Sequence, residues 1–246
     1  MRKTVIVTGA GRGLGFAIVQ KLLHDGFYVV AVSRTETDEI KDLTQANDNL
    51  EFLKFDLEKT RDIFQLCKDI VQSTKLDNKP TIFSLINNAA IGTDGILGTM
   101  HETDIERMIA INITAPILLT KYLTRMMMLS GHKGRIVNIG SIIGSTGYSG
   151  LSVYGATKSA MEGFSRSLSR EIGKIGMTVN VVAPGYMETE MTTGLEGDKL
   201  DSIRRRSAMK LFARPSDVAE TVAFLLGKGG DRITGTVLTV DAGSTA

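Results

Sequence analysis

Short apolar runs and amphipathic stretches alternate along the whole chain. Thr4–Thr8 (Thr-Val-Ile-Val-Thr) is a β-branched run of the kind buried on both faces of a sheet. Runs of the same character follow at Tyr28–Val32, Glu51–Phe55, Ile82–Ile86, Arg135–Ile139, Thr178–Val182 and Val237–Val240. The intervals read as helices at about Leu14–His24, Glu36–Asn47, Thr60–Thr74, Glu102–Leu129, Val153–Lys174 and Asp217–Leu226. In the first of these, Ile18, Leu22 and Leu23 fall on one side. The charged stretch Glu188–Lys210 has no strand pattern and reads as a mobile lid over a site.

Apolar strands alternating with helices predict an α/β protein: a doubly wound Rossmann-type fold, with a seven-stranded parallel sheet covered by helices on both faces. No Pro- or Ser-rich linker, internal repeat or break in composition divides the chain, so residues 1–246 read as a single domain. The balance of 29 basic and 27 acidic residues, net +2, argues against bulk nucleic-acid binding. The single cysteine, Cys67, excludes an internal disulfide and falls in a helical pattern as a buried residue. A first strand close to Met1 leaves no room for a signal or transit peptide. No apolar run approaches the roughly 20 residues that span a bilayer. The expectation is a soluble, cytoplasmic protein with no membrane partner.

The first strand runs into Gly9-Ala10-Gly11-Arg12-Gly13-Leu14-Gly15. Glycines there let the backbone turn tightly and approach a pyrophosphate at a helix N-terminus, where free N–H groups and the helix dipole favour anions. An acidic residue at the end of the second strand would accept the ribose hydroxyls of NAD. The strand ends instead in Ser33-Arg34, and Arg12 adds a second cation in the glycine turn. Two guanidinium groups suit a 2′-phosphate, which points to NADP(H). The other reading makes Arg34 a solvated loop residue and gives the ribose to Glu36.

Tyr154 and Lys158 stand four apart in a helical stretch, on one face. Bringing a tyrosine from its usual pKa to neutrality takes about 4 kcal/mol of phenolate stabilisation, and a neighbouring ammonium in a partly dry site supplies much of it. Alone, such a pair is an ordinary surface neighbour; its weight comes from Ser141 before it and the glycine turn at the start of the chain.

In these motifs the chain resembles the short-chain dehydrogenase/reductase family over nearly its whole length. The matching residues are Thr8-Gly9 to Gly15, Asp56-Leu57, Asn87-Asn88-Ala89, Asn112, Ser141, Tyr154 with Lys158, and Pro184-Gly185 with Thr189. Within the family, Gly163–Glu171, Thr178–Gly185 and Ile233–Gly243 look like the 3-oxoacyl-(acyl-carrier-protein) reductases. Three positions depart from those reductases: Ala90 in place of a glycine, Thr93-Asp94-Gly95 in place of an Arg-Asp pair, and His132-Lys133 where Arg is usual.

The resemblance implies roles. Gly9, Arg12, Gly13, Leu14 and Gly15 cradle the cofactor. Asp56, with Leu57 beside it, meets the adenine, although a helix cap is the other reading of Asp56. Asn88 packs beside the adenosine ribose, and Thr189 with the backbone near Met187 holds the nicotinamide carboxamide. Ser141 donates to the substrate carbonyl, Tyr154 protonates the alkoxide, Lys158 lowers the Tyr154 pKa and binds the nicotinamide ribose, and Asn112 holds a water that returns the proton.

The implied activity is NADPH-dependent reduction of a carbonyl to a secondary alcohol, on a 3-oxoacyl group carried by acyl carrier protein in fatty acid biosynthesis. A small-molecule ketone, sugar or polyketide-type substrate is the alternative, and a non-catalytic nucleotide-binding protein the remote one. Arg170, with Arg166, Lys174, Lys133 and Arg204-Arg205-Arg206, is the expected basic rim for a carrier protein. By the same resemblance the helices holding Asn112 and Tyr154, with outward Leu118, Leu119 and Met126, form a dimer that pairs into a homotetramer.

Overall fold

The computed structural model describes residues 3–73, 82–129, 131, 133–187 and 198–246. Among them lie seven strands, β1 (Thr4–Thr8), β2 (Tyr28–Ser33), β3 (Leu50–Lys54), β4 (Ile82–Asn87), β5 (Arg135–Ile139), β6 (Thr178–Pro184) and β7 (Val237–Val240). They form one parallel sheet in the order β3-β2-β1-β4-β5-β6-β7. The order reverses between β1 and β4, and in such sheets ligands bind at that switch point, beyond the carboxyl ends of the strands.

The helices are α1 (Gly13–His24), α2 (Asp38–Ala46), α3 (Ile63–Ser73), α4 (Glu102–Ile109), α5 (Ala115–Leu129), α6 (Ile143–Thr146), α7 (Ser152–Ile172), α8 (Asp198–Arg206) and α9 (Pro215–Leu226). On one face Leu14, Ile18 and Leu22 of α1, Ile40 of α2 and Val218, Val222 and Leu225 of α9 pack on Val5, Val29 and Val137 of the sheet. On the other, Ile63, Leu66, Cys67 and Ile70 of α3 and Leu119, Leu123 and Met127 of α5 cover Ile6, Val30, Leu85 and Ile136. Burying each such side chain is worth about 1.5–3 kcal/mol, so the two apolar layers hold the strand ends in fixed relation.

Two expectations change here. Leu119 does not face outward: it is 1% exposed, in the buried i, i+4, i+8 stripe Leu119, Leu123, Met127, while Leu118 and Met126 are half-buried against the same core. The single helix expected over Glu102–Leu129 is three pieces, because residues 110–114 form a π-helical turn between α4 and α5. Pro116 is the physical reason: it has no N–H to give the carbonyl of Asn112 four residues back. In the stretch expected as a lid, residues 188–197 and with them Thr189 lie outside the described residues, as do His132 and Thr74. The rest forms α8 and a turn.

No described helix is long and apolar enough to cross a membrane. Cys67 is buried, and burial pushes its thiol up to about 12, which keeps it in the unreactive form.

Candidate active site

The glycine turn is built by close approach. Gly9 has φ +65, and a Cβ there would stand 2.8 Å from Ala89 Cα; one on Gly15 would stand 2.0 Å from Gly9 O. A side chain at Gly9 would push the turn off the segment after β4, and one at Gly15 would push α1 off the turn. Thr8 joins the two strand ends: its hydroxyl accepts from the N–H of Asn88 and of Ala89, 3.1 Å each, and donates to Ile86 O at 3.3 Å. The Asn88 amide donates to Thr8 O (2.9 Å) and Gly9 O (3.2 Å), so its NH2 group fixes the turn itself.

The N-terminus of α1 has Arg12 as its cap residue, with no side-chain cap bond and no acidic residue in its first turn. Its leading N–H groups thus have neither a side-chain cap nor an acidic neighbour within the turn, as an anion site requires. Across the crevice Thr37 caps α2 through Ile40 N at 3.4 Å and donates to Gly11 O at 2.6 Å. A Cβ on Gly11 would meet Ser33 Oγ at 3.2 Å. These contacts bring Ser33, Arg34 and Arg12 to one rim, where both arginines are exposed. Glu36, also exposed, precedes α2. Asp56 is half-buried and accepts from Glu58 N at 3.1 Å through one oxygen, in a turn that precedes the 3-10 segment Thr60–Asp62, and Leu57 beside it is buried.

The second group gathers at the carboxyl end of β5. Ser141 follows the strand and accepts from Ile143 N at 3.2 Å, the first residue of α6. Ser141 also hydrogen-bonds Tyr154, in the first turn of α7. Lys158 is 5% exposed; its Nζ donates to Ile139 O at 2.9 Å and lies 5.5 Å from the centre of the Tyr154 ring. The other side of the ring is closed by Gly92, where a Cβ would touch Cδ2 at 3.4 Å.

Burial governs the protonation of this pair. It raises the Tyr154 phenol above its usual value, with the Ser141 hydrogen bond acting the other way. It lowers Lys158 to about 8. The expected downward pull of Lys158 on the tyrosine is therefore not what dominates here: the ammonium is itself desolvated and bonded to a carbonyl, and desolvation penalises both charged forms.

Asn112, 4% exposed in the π turn, accepts from Ile91 N (2.9 Å) and donates to Ile91 O (2.8 Å) and to Thr157 Oγ1 (3.1 Å). Thr157 in turn donates to Tyr154 O at 2.7 Å. The side chain of Asn112 thus ties the loop after β4 to α7, beside Tyr154. Thr157 and Thr37 hold the site together without having been singled out in the sequence, whereas Thr8 stood in the glycine motif. A buried chain of amides supports the same corner: Asn87 Nδ2 donates to Asn138 Oδ1 (2.8 Å), and Asn138 Nδ2 to Ser165 Oγ (2.8 Å), two turns beyond Lys158. Met187 is half-buried after β6, and Arg170 is exposed in the last turn of α7.

A sequence model of the family described as short chain dehydrogenase matches residues 3–199. The 3-oxoacyl-(acyl-carrier-protein) reductase FabG of Buchnera aphidicola is 36% identical over 243 residues, 98% of this chain and 97% of that protein. Carbonyl reductase family member 4 of Xenopus tropicalis is 37% identical over 243 residues, 99% of this chain and 98% of that one. A short chain dehydrogenase of Burkholderia cenocepacia, solved in complex with NADP, superimposes with a TM-score of 0.90 at 30% identity, covering 99% of this chain and 98% of its own. The chain belongs to the short chain dehydrogenase family.

Proposed function

We propose that this member of the family is an NADP(H)-dependent reductase that turns a carbonyl into a secondary alcohol, acting on 3-oxoacyl groups carried as thioesters on acyl carrier protein. The observation that carries the reaction class is the meeting of Ser141, Tyr154 and a buried, charge-bearing Lys158 at the strand ends that also hold the glycine turn.

The crevice fits the cofactor: an uncapped helix N-terminus for the pyrophosphate, glycines whose Cβ atoms would fill the cradle, and two exposed arginines at the rim with no acidic residue ending β2. Gly9, Gly13, Leu14 and Gly15 would line the pyrophosphate, Arg12 and Arg34 the 2′-phosphate, Asp56 and Leu57 the adenine, and Asn88, Lys158, Met187 and Thr189 the riboses and carboxamide. Bound there, the nicotinamide supplies the hydride.

The chain's own residues supply position and protons. Ser141, its oxygen already accepting from Ile143 N, donates to the carbonyl oxygen and localises the charge that develops on it. Tyr154, kept protonated at neutral pH by burial, is in the acid form that reduction requires and protonates the alkoxide from its hydroxyl. Lys158, charged below about 8, stabilises the phenolate left behind. Because the Asn112 side chain is fully engaged, a water that resupplies the proton is held by its main-chain carbonyl in the π turn.

For the substrate, similarity to 3-oxoacyl-(acyl-carrier-protein) reductases supports the carrier-bound thioester. The similarity to a carbonyl reductase at 37% identity supports a small ketone as the second reading. One experiment decides: NADPH oxidation with carrier-bound 3-oxoacyl thioesters against free ketones, parent beside Tyr154→Phe. Preference for the thioesters with turnover lost in Tyr154→Phe is expected. A preference for free ketones sinks the substrate assignment, and a Tyr154→Phe variant within a few fold of the parent sinks the mechanism.

A further inference from the structure

The chain between Arg204 and Leu211 forms an anchored, cationic corner that the chemistry above does not use. α8 ends in Arg204-Arg205-Arg206. Ser207 behind it is wholly buried; its Oγ accepts from Leu211 N (3.0 Å) and donates to Leu211 O (2.8 Å), closing a tight turn. Lys210, at φ 57, caps the helix by donating from Nζ to Arg205 O at 2.6 Å. The turn is fastened to the C-terminal segment through Ala208 N to Gly243 O and Met209 N to Ala242 O, 3.1 Å each. That segment is knotted in turn by Asp241, which accepts from Gly243 N, Thr245 N and Thr245 Oγ1.

This base carries exposed apolar and cationic side chains in one short stretch. Met209 is 66% exposed and Leu211 56%, an unusual expenditure of apolar surface on a fixed turn, and Arg205, Arg206 and Lys210 are exposed beside them in sequence. Four cations fall within residues 204–210; Arg204 is paired with Asp201 one turn back at 3.4 Å, and Arg205, Arg206 and Lys210 make up the exposed positive charge. An apolar core with a charged rim is the anatomy of a protein-docking patch, and methionine adapts to the partner's shape. A relay of contacts leads from the corner to the segment that carries Ser141. Arg204 lies 5.3 Å over the Phe212 ring, and Phe212 packs at 4.7 Å on Tyr186, two residues past Pro184. Pro184 O accepts from Ile142 N at 3.0 Å, the residue after Ser141. Arg170, by contrast, is 16 residues beyond Tyr154 on α7, about 24 Å along the axis.

Resting on the carrier-protein reading of the function, we propose that acyl carrier protein docks on this corner, with Arg205, Arg206 and Lys210 facing its acidic surface and Met209 and Leu211 at the centre, and that Arg170 is not its anchor. A small, strongly acidic helical partner matches the patch in charge, and guanidinium groups pair with carboxylates bidentately.

The test compares kcat/KM on a carrier-bound 3-oxoacyl substrate with that on the same acyl group as a short-chain thioester. It uses the parent, R205E/R206E, M209S and R170E. For R205E/R206E a loss of roughly tenfold or more is expected on the carrier substrate at low salt, shrinking as salt rises, with the small thioester within about twofold. M209S should raise KM for the carrier several-fold with little salt dependence. Four results overturn the proposal: R205E/R206E and M209S both retain the parent's carrier preference; R170E alone abolishes it; both substrates suffer equally; or the cationic corner binds anionic phospholipid vesicles while carrier kinetics stay unchanged in R205E/R206E. A parent enzyme that shows no preference for the carrier over the small thioester removes the carrier reading itself, a failure visible before any variant is made.

Discussion

A buried cation stands at each end of β5, Arg135 within the strand and Lys158 reaching its last carbonyl from α7, and the two are held in opposite ways. At its amino end Arg135, 5% exposed, donates from Nη1 to the carbonyls of Lys133, Gly134 and Gly176 and from Nη2 to Asp231 at 2.7 Å. Only its Nε lacks a partner among the described residues. At the carboxyl end Lys158 of α7, equally buried, has among the described residues one carbonyl, Ile139 O, and no carboxylate. A charge surrounded by acceptors ties strands and loops together; a charge left short of them is destabilised and open to a new partner. The contrast separates the structural pole of the sheet from its chemical pole.

The hardest blow to that contrast is Lys158→Met. Turnover should fall by roughly a thousandfold or more, since the group that stabilises the phenolate is gone. At the same time the protein should become more stable at pH 7 by about 1–3 kcal/mol, because an under-satisfied buried ammonium is replaced by a thioether of similar length. Chemical denaturation beside steady-state kinetics reads both. A variant that loses activity and stability together would make Lys158 as structural as Arg135.

Arg135→Met should do the reverse. Three carbonyls lose a donor, while Asp231, whose side chain is 58% exposed, turns to water. The expected loss is about 2–4 kcal/mol of stability, with kcat in the folded fraction close to the parent's. A smaller effect comes from the exposed cation at the rim, Arg34. Arg34→Asp should shift the NADPH-to-NADH preference by roughly 10- to 100-fold, the worth of a charge-assisted contact, without moving the denaturation midpoint. An unchanged preference would return the ribose to Glu36.

The two poles were not equally legible. β1, β5 and β7 have the bounds that their sequence runs announce; β1 and β5 are buried along their whole length, while β7, at the sheet edge, is only half-buried and is marked by its β-branched residues. Ser141, Tyr154 and Lys158 showed themselves by spacing on a helix and at a strand end. The brackets around them did not. Asn112 reaches Thr157 across 45 residues and Thr37 reaches Gly11 across 26, and a side-chain hydrogen bond between distant residues leaves no periodic trace. The π turn had a visible cause in Pro116 that helical periodicity concealed. α6, four residues long in Ile-Gly-Ser-Thr, has too little length for a pattern, yet it supplies the N–H that orients Ser141. The direction of the Tyr154 shift was also out of reach, since it depends on how deeply the phenol is buried rather than on which residue stands four positions away.

The finest test of the comparison is a pH dependence. In the unfolded chain Lys158 keeps its proton up to the usual 10.5; in the folded chain it gives it up at about 8. Below about 8 both forms are charged and the burial penalty is fully present. Between about 8 and 10.5 the unfolded chain binds more protons than the folded one, so this group makes stability rise with pH. From pH 7 to pH 9 its contribution is about 1 kcal/mol in favour of the folded state. The parent should therefore close part of its stability gap to Lys158→Met over that interval, and the gap should stay constant from pH 6 to pH 7. The difference between two denaturation series cancels every other titrating group. A gap that stays flat from pH 6 to pH 9 would mean that the folded Lys158 keeps its proton as the unfolded one does, and that the chemical pole of β5 is no more poised than the structural one.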